Sequence, residues 1–565
     1  MPRSRPSTTT LAWMVPAVLA SLVVFAAYLL THPYPATGGG LYLAMADAIR
    51  DNGYRLPARV PRYTPNGIPF GYPPLAFYVA ALARDILGVG PLALTRFLPG
   101  IVTVLTVVPA YLLGREVFAD APDRNRRAGL AALVVAVSPA VFKWHLSAGG
   151  IVRAPAFLFT VTGLYVGLRL FRTPENPVRW AVAGAVLFGL TILTHPSYPV
   201  FFGTSYLVFF AVFDRSVAGL KRGAFVAAGG LLLAVPWWGH IASVHGIGLL
   251  TRTAGSRLGI GRGIFWFPSK FLYARRTRFL PVWHVLTLVG VVALAVRKRY
   301  FLPLWFAATV VMFPKPRFLM LVGAFVVAAA VFDWLPSIAE AAPERDGIST
   351  DGGRLPRVSL VLLLLLWTYG VATGGLYAAN YGPVPERPLH RLQKEPLPSY
   401  IDGDDMTAMR WVRERTAADA TVLVAGDAAE WFPVFTHRTV VASPWGAEWL
   451  PPEERERQIS LYRNASACAS ATCIRQTLDR DDVSPEYVYL TREGSRSWTA
   501  RETLNRAQWT EMLDRLGTSN GTRVVFRNRD VAVVQVNDRE KTNRQSSALA
   551  EADFTVPSSF HPRSA

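Results

Sequence analysis

From Leu11 to Tyr377 the chain alternates apolar runs of about 17 to 22 residues with short, arginine-rich polar connections. Runs of that length suit helices crossing a hydrocarbon core of roughly 30 Å. The pattern predicts eleven spanning helices. They fall at Leu11–Leu30 and Phe97–Leu113, then at about 129–145, 155–171, 179–194, 198–213, 222–240, 281–297, 300–313, 317–335 and 358–378. After Asn380 the long runs stop. Short Val-rich stretches then predict strands at Thr421–Ala425, Thr439–Ala442, Tyr487–Leu490, Thr522–Phe526 and Val531–Val536, with helices at Asp404–Thr416 and Ala507–Leu516. The expected fold is a polytopic α-helical membrane domain over 1–380 and a soluble, extracytoplasmic α/β domain over 381–540. A disordered polar tail is expected over 541–565.

The loop from His32 to about Pro91 is too long for a turn and carries helical periodicity of its own. Leu41, Ala44, Met45 and Ile49 share one helical face, and Asp47, Arg50, Asp51 and Tyr54 share another. Leu75–Leu87 is apolar but short for a span, with Arg84 and Asp85 near its end, so an amphipathic helix at the membrane interface is expected.

Charge orients the chain. The first 380 residues hold 35 Lys+Arg against 13 Asp+Glu, whereas 381–565 hold 24 against 26. The basic excess therefore lies in loops between spans, where membrane lipids are its counter-charges, and a nucleic-acid partner is excluded. Arg3 and Arg5 precede the first span, which reads as a retained anchor. Arg115, Arg124, Arg126 and Arg127, then Arg169, Arg172 and Arg179, then Arg215, Lys221 and Arg222, then Arg297, Lys298 and Arg299 all fall on that same side. The positive-inside tendency makes that side cytoplasmic, for a multi-pass plasma-membrane protein whose odd span count puts the C-terminal domain outside. Residues 241–280 break the rule with Arg252, Arg257, Arg262, Lys270, Arg275, Arg276 and Arg278 and no acid. Those cations point either to a bound phosphate or to lipid headgroups. The two cysteines, Cys468 and Cys473, make no zinc pattern and are read as a small-loop disulfide or as two thiols. Asn464-Ala465-Ser466 and Asn520-Gly521-Thr522 match the glycosylation sequon.

One span, a long outer loop with a short helix, and the run Pro69-Phe70-Gly71-Tyr72-Pro73-Pro74-Leu75 resemble the C-type (GT-C) polytopic glycosyltransferases. Arg96-Phe97-Leu98-Pro99, Tyr111–Phe118, Leu193-Thr194-His195-Pro196 and the outer stretch Asp427–Trp449 add to the resemblance. It implies transfer of a sugar from a polyprenyl-phosphate donor to a glycan or protein acceptor at the outer face, with a divalent cation (Mg or Mn) as a candidate cofactor. Family members usually carry an acid near the start of the first outer loop, where this chain has Gly38-Gly39-Gly40, and often a second after the third span, where it has Ser147–Arg153. A catalytically inactive relative that binds lipid-linked glycans is the alternative.

Asp47 and Asp51, one helical turn apart, are the candidate catalytic acids, with Asp47 as base. Arg275, Arg276, Arg317, Arg153, His195 and Tyr72 are the candidate substrate and lipid-phosphate contacts, with His195 near a span end and Tyr72 shaping the acceptor side. The glycines before Asp47 are read either as backbone donors to a phosphate or as a hinge. A transporter reading finds no inverted repeat.

Overall fold

The computed structural model describes residues 8–172, 176–250, 263–271, 281–312, 315–340, 357–381, 396–480, 484–499, 501–519 and 521–536. Two compact units result: Met1–Val60 with Pro69–Tyr400, and Pro61–Ile68 with Ile401–Ala565.

The first unit is helical. Its helices are α1 (Thr8–Thr31), α2 (Gly40–Asp51), α3 (Leu75–Leu87), α4 (Pro91–Val117), α5 (Arg124–Val137), α6 (Pro139–Leu146), α7 (Gly150–Arg172), α8 (Pro177–Ile192) and α9 (Tyr198–Phe213). They continue with α10 (Val217–Leu233), α11 (Val235–His245), α12 (Gly263–Phe271), α13 (Val282–Val296), α14 (Phe301–Met312), α15 (Pro316–Glu340) and α16 (Arg357–Ala378). Each expected span falls on one helix or on a bent pair. Among the described residues, five helices are long and apolar enough to cross alone, and seven spans result if each bent pair counts as one. The expected continuous spans at 129–145 and 222–240 are instead bent, by 51° between α5 and α6 and by 57° between α10 and α11. Pro139 and Pro236 sit in the first turn after each break, where a missing N–H costs nothing but the preceding residue leaves the helical region. Helices α8, α9, α13 and α14 have 12 to 16 residues. At 1.5 Å per residue they reach only about 18 to 24 Å.

Packing draws small residues against rings. A Cβ on Gly163 of α7 would meet Phe202 of α9 at 2.0 Å, so only glycine allows the two helices this approach. The neighbouring Tyr206 then donates to the Gly163 carbonyl at 2.9 Å. At one end of the bundle every arginine cluster meets an acid: Arg127 pairs with Asp123 (2.7 Å) and Asp333 (2.8 Å), Arg172 with Asp120 (2.6 Å), and Arg222 with Asp214 (3.1 Å). The other end gathers the first loop and the turns between α6 and α7, α8 and α9, and before α15. Ala148 N donates to Ala36 O (2.9 Å), Leu75 N to Leu193 O (2.9 Å), and His32 bonds Leu397 O (2.9 Å) beside the end of α16.

The second unit is an α/β sheet. Strands β1 (Thr421–Ala425), β2 (Thr439–Val440), β3 (Tyr487–Thr491), β4 (Thr522–Arg527) and β5 (Val531–Val536) lie in the order β2-β1-β3-β5-β4. β1 runs parallel to β2 and β3, while β5 is antiparallel to β3 and β4. Helices α17 (Gly403–Arg415) and α21 (Arg506–Gly517) fall where the pattern predicted them, and α18 (Phe432–Thr436), α19 (Pro452–Ala467) and α20 (Ala471–Arg480) are additional. Cys468 and Cys473, between and within these last two, form a disulfide.

An eight-residue strap from the first loop completes this unit. Tyr63 is fully buried and donates to Glu430 O at 2.5 Å, Arg62 O accepts from Val440 N at 2.9 Å, and Ile68 is buried against Gly446. Gly446 has φ +84° and a Cβ there would lie 2.1 Å from Ile68 Cδ1, so glycine is needed for both reasons. Tyr63→Ala is expected to destabilise the sheet by about 3–5 kcal/mol. Tyr63→Phe, which loses one hydrogen bond, should cost about 1 kcal/mol. Hydrogen exchange of Thr421–Ala425 in the full protein measures both.

Asp405 gives the sheet a pH dependence. Its carboxylate is buried, accepts from Tyr489 (2.8 Å) and lies beside Asp402. Burial pushes its pKa up to about 7. Between pH 4 and 7 the folded unit therefore keeps a proton that the unfolded chain releases. Stability from this group falls as pH rises through that window. Asp405→Asn should flatten the slope in thermal unfolding, and an unchanged slope would assign it to other groups.

Candidate functional site

Five chain segments meet at the end of the first unit that carries the first loop. The strongest constraint is steric. Gly39, just before α2, faces Ala148, whose Cβ would be 2.7 Å from a Cβ on Gly39. Gly149 lies under Arg153, whose Nη1 would be 2.1 Å from an added Cβ. These glycines thus let the α6–α7 turn close onto the start of α2 and seat the Arg153 guanidinium. Arg153 also lies over the Trp144 ring at 5.4 Å.

The α8–α9 turn supplies His195, Ser197 and Tyr198. Pro196 stops the chain from continuing as helix, and α9 restarts at Tyr198. His195 is buried, with its ring edge-on to Tyr72 (5.8 Å between centroids) and to Tyr198 (4.9 Å). His145, at the end of α6, holds the Tyr198 hydroxyl at 2.8 Å and stacks on Phe157. Tyr72 joins Tyr42 (5.4 Å) and Phe77 (5.6 Å) in an aromatic wall.

Arg317 enters from the first turn of α15. It is 7% exposed, lies over the rings of Tyr198 (4.9 Å) and Phe318 (5.0 Å), and donates to Ser197 Oγ at 3.4 Å. Its Nε is buried without a hydrogen-bond partner. Among the described residues no carboxylate pairs with it, and Arg153 acts on it as a like charge. Cation–π contacts contribute about 2 kcal/mol when desolvated, while burying an ion costs several. The difference leaves the Arg317 guanidinium without a compensating acid among the described residues. Burial, together with Arg317, Arg153 and Lys315, holds the His195 pKa well below its ordinary value, so the ring is neutral.

The sequence candidates thus divide into three groups. Arg153, His195, Tyr72 and Arg317 come together. Asp47 and Asp51 lie on α2: Asp47 accepts from Arg50 (2.9 Å) and pairs with Arg84 of α3, while Asp51 is exposed. Arg50 also binds Asp85 (2.8 Å), to which Tyr54 donates (2.6 Å), so this face is an α2–α3 ion-pair strut. Arg275 and Arg276 lie outside the described residues. Ser197, Tyr198 and Tyr42 were not singled out from sequence. The first two directly follow the Thr194-His195-Pro196 motif, which is the signal for them, and Tyr42 has none.

A divalent cation does not fit this cluster, whose groups are guanidinium, ammonium, neutral imidazole and phenol. Among the described residues, one group of three carboxylates approaches ligand spacing, Asp402, Asp404 and Asp530 in the second unit. There Asp402 is spent capping α17, accepting from the N–H groups of Asp404 and Asp405.

Comparison with known proteins follows the geometry. Residues 72–240 match the family of dolichyl-phosphate-mannose-protein mannosyltransferases. No curated protein matches by sequence. The archaeal oligosaccharyltransferase AglB from Archaeoglobus fulgidus, in complex with an inhibitory peptide and a dolichol-phosphate, superposes with a TM-score of 0.53 at 16% identity, covering 85% of this chain and 69% of that one. The same enzyme's complex with Zn and sulfate gives 0.55 at 13%, covering 94% and 80%. A mutant of the mycobacterial arabinofuranosyltransferase AftD gives 0.51 at 14%, covering 95% of this chain but 42% of AftD. The chain has the GT-C fold of the polytopic membrane glycosyltransferases.

A buried cation lacking its counter-ion costs stability until an anion arrives. Arg317→Met is therefore expected to raise the melting temperature of the anion-free protein. The same change should remove the stabilisation that added inorganic phosphate gives the wild type. A lower melting temperature for the variant would mean that the guanidinium is already compensated.

Proposed function

We propose that this protein moves a sugar from a polyprenyl-phosphate-linked donor to a glycan or protein acceptor at the outer face of the plasma membrane. The observation that carries this reading is Arg317, buried beside Arg153 with no carboxylate partner among the described residues. A donor phosphate has the charge the pocket lacks. In the transfer, an acceptor atom bonds to the sugar's anomeric carbon as the bond from that carbon to the phosphate oxygen breaks; the electron pair leaves with the phosphate, whose growing negative charge takes up the acceptor's proton. Arg153 and Arg317, held over the rings of Trp144 and Tyr198, meet that charge. Tyr72 and the aromatic wall shape the acceptor side, and Arg275 and Arg276 are assigned to the lipid phosphate. The likeness to AglB, whose complex contains a dolichol-phosphate, supports a lipid-linked donor. The disulfide Cys468–Cys473 supports an oxidising, extracytoplasmic setting for the second unit.

In this reading Asp47 fixes α2 against α3. Both guanidiniums, Arg50 and Arg84, bind its Oδ1 and hold it between the two helices. The absence of a carboxylate among the described groups around Arg317 favours the second reading, a binder of lipid-linked glycan without turnover.

Purified protein in lipid nanodiscs, given polyprenyl-phosphate sugars and glycan or peptide acceptors, separates the two. Transfer that falls by at least about 100-fold in Arg317→Met and Arg153→Met supports the enzyme. Donor binding with no transfer or hydrolysis supports the binder, and no binding at all rejects both. Asp47→Asn is expected to lower melting temperature more than it lowers turnover per folded molecule, and abolished turnover with intact folding would restore Asp47 as base.

A further inference from the structure

His195 lies in a turn whose hydrogen bonds decide where its single proton resides. Ser197 N is 3.2 Å from His195 Nδ1, and Ser197 Oγ is also 3.2 Å from it. A backbone amide only donates, so Nδ1 is the acceptor nitrogen and the neutral ring carries its hydrogen on Nε2. Ser197 Oγ meanwhile accepts from Arg317 Nη2 at 3.4 Å, which leaves its own hydrogen directed to the ring. The groups acting on the ring from each neighbouring segment are Arg317 and Lys315 from the start of α15, Arg153 from α7 and His145 from α6. Tyr72 and Tyr198 face it edge-on. None of these is an acid, so nothing there favours a second proton.

We propose that His195 is a permanent Nε2–H donor to an oxygen of the donor phosphate, and that Ser197 is the positioning residue that fixes this tautomer. The inference rests on the glycosyl-transfer reading and deepens it, because it excludes His195 as the base. With Nδ1 occupied and Nε2 protonated, the ring has no lone pair to offer an acceptor hydroxyl. Ser197 has a second role in the same geometry: it ties the ring to Arg317, so that one phosphate meets the guanidinium and the imidazole N–H together.

The test uses full-length protein in nanodiscs with 15N-labelled histidine, the His195 signal being identified by its loss in His195→Gln. An Nε2-protonated neutral ring from pH 5 to 8 supports the proposal. An imidazolium in that range, or a ring protonated on Nδ1, overturns it. Glutamine places an amide N–H near the Nε2 position, whereas alanine places nothing there. His195→Gln should therefore keep polyprenyl-phosphate binding within about tenfold of wild type, and His195→Ala should lose about 100-fold. Equal loss in both variants, each with wild-type melting temperature, overturns the donor role. Ser197→Ala keeps the backbone amide that makes Nδ1 the acceptor, so the Nε2-protonated signal should persist, while loss of the Oγ link to Arg317 should weaken polyprenyl-phosphate binding about tenfold and Ser197→Thr should restore it; a second tautomer signal, or wild-type binding in Ser197→Ala, overturns this part of the proposal. The spectra and binding need no turnover. A protein that binds polyprenyl phosphate with this ring signature but transfers nothing would thus sink the enzymatic reading and leave this one standing.

Discussion

The guanidinium of Arg317 is the constraint on which the end of the bundle that carries the first loop depends. A fixed cation out of water needs either an acid or a surface of electrons, and the protein gives it the latter. Tyr198 lies beneath it, Phe318 beside it, and Ser197 accepts one N–H. Each of those neighbours is in turn fixed by something else: Tyr198 by His145, and Ser197 by its place in the turn that Pro196 opens. The α8–α9 turn, the end of α6 and the start of α15 are therefore a single electrostatic object. Stability and ligand affinity oppose each other here, because an acid that neutralised Arg317 would also occupy the place of an anionic ligand.

Arginine is met in two ways along the bundle. At the end opposite the first loop, Asp333 alone meets Arg127, Arg297 and Arg299, and Glu116, Asp120 and Asp214 take others. At the end that carries the first loop, Arg50 and Arg84 also meet acids, Asp47 and Asp85, whereas Arg317 rests on the rings of Tyr198 and Phe318.

Much of this was legible in the sequence. Long apolar runs fix helices because hydrocarbon admits no unpaired backbone, so all eleven expected positions hold helix, and Pro139 and Pro236 mark the two bends. The Val-rich strands of the second unit lie within a residue or two of their expected bounds. Arg153, His195, Tyr72 and Arg317 were reachable because ionisable or aromatic residues at span ends are costly and few. Asp47 shows the limit. Helical spacing placed it correctly on a face with Arg50 and Asp51, but only the packing of α3 brings Arg84 to it. Ser197 shows another, since a serine after a proline has no distinguishing pattern until its amide is seen to face a histidine.

The strap Pro61–Ile68 has a consequence for how the chain is made. Tyr63 and Glu430, joined by a hydrogen bond, are 367 residues apart. At about 5 to 20 residues per second, the ribosome needs roughly 20 to 70 seconds to supply the second after the first. During that delay a tyrosine and an isoleucine destined for burial remain without their sheet. Maturation of the second unit is therefore a closing act of biogenesis, and protease resistance at Tyr63 would report that both ends of the polypeptide have been delivered.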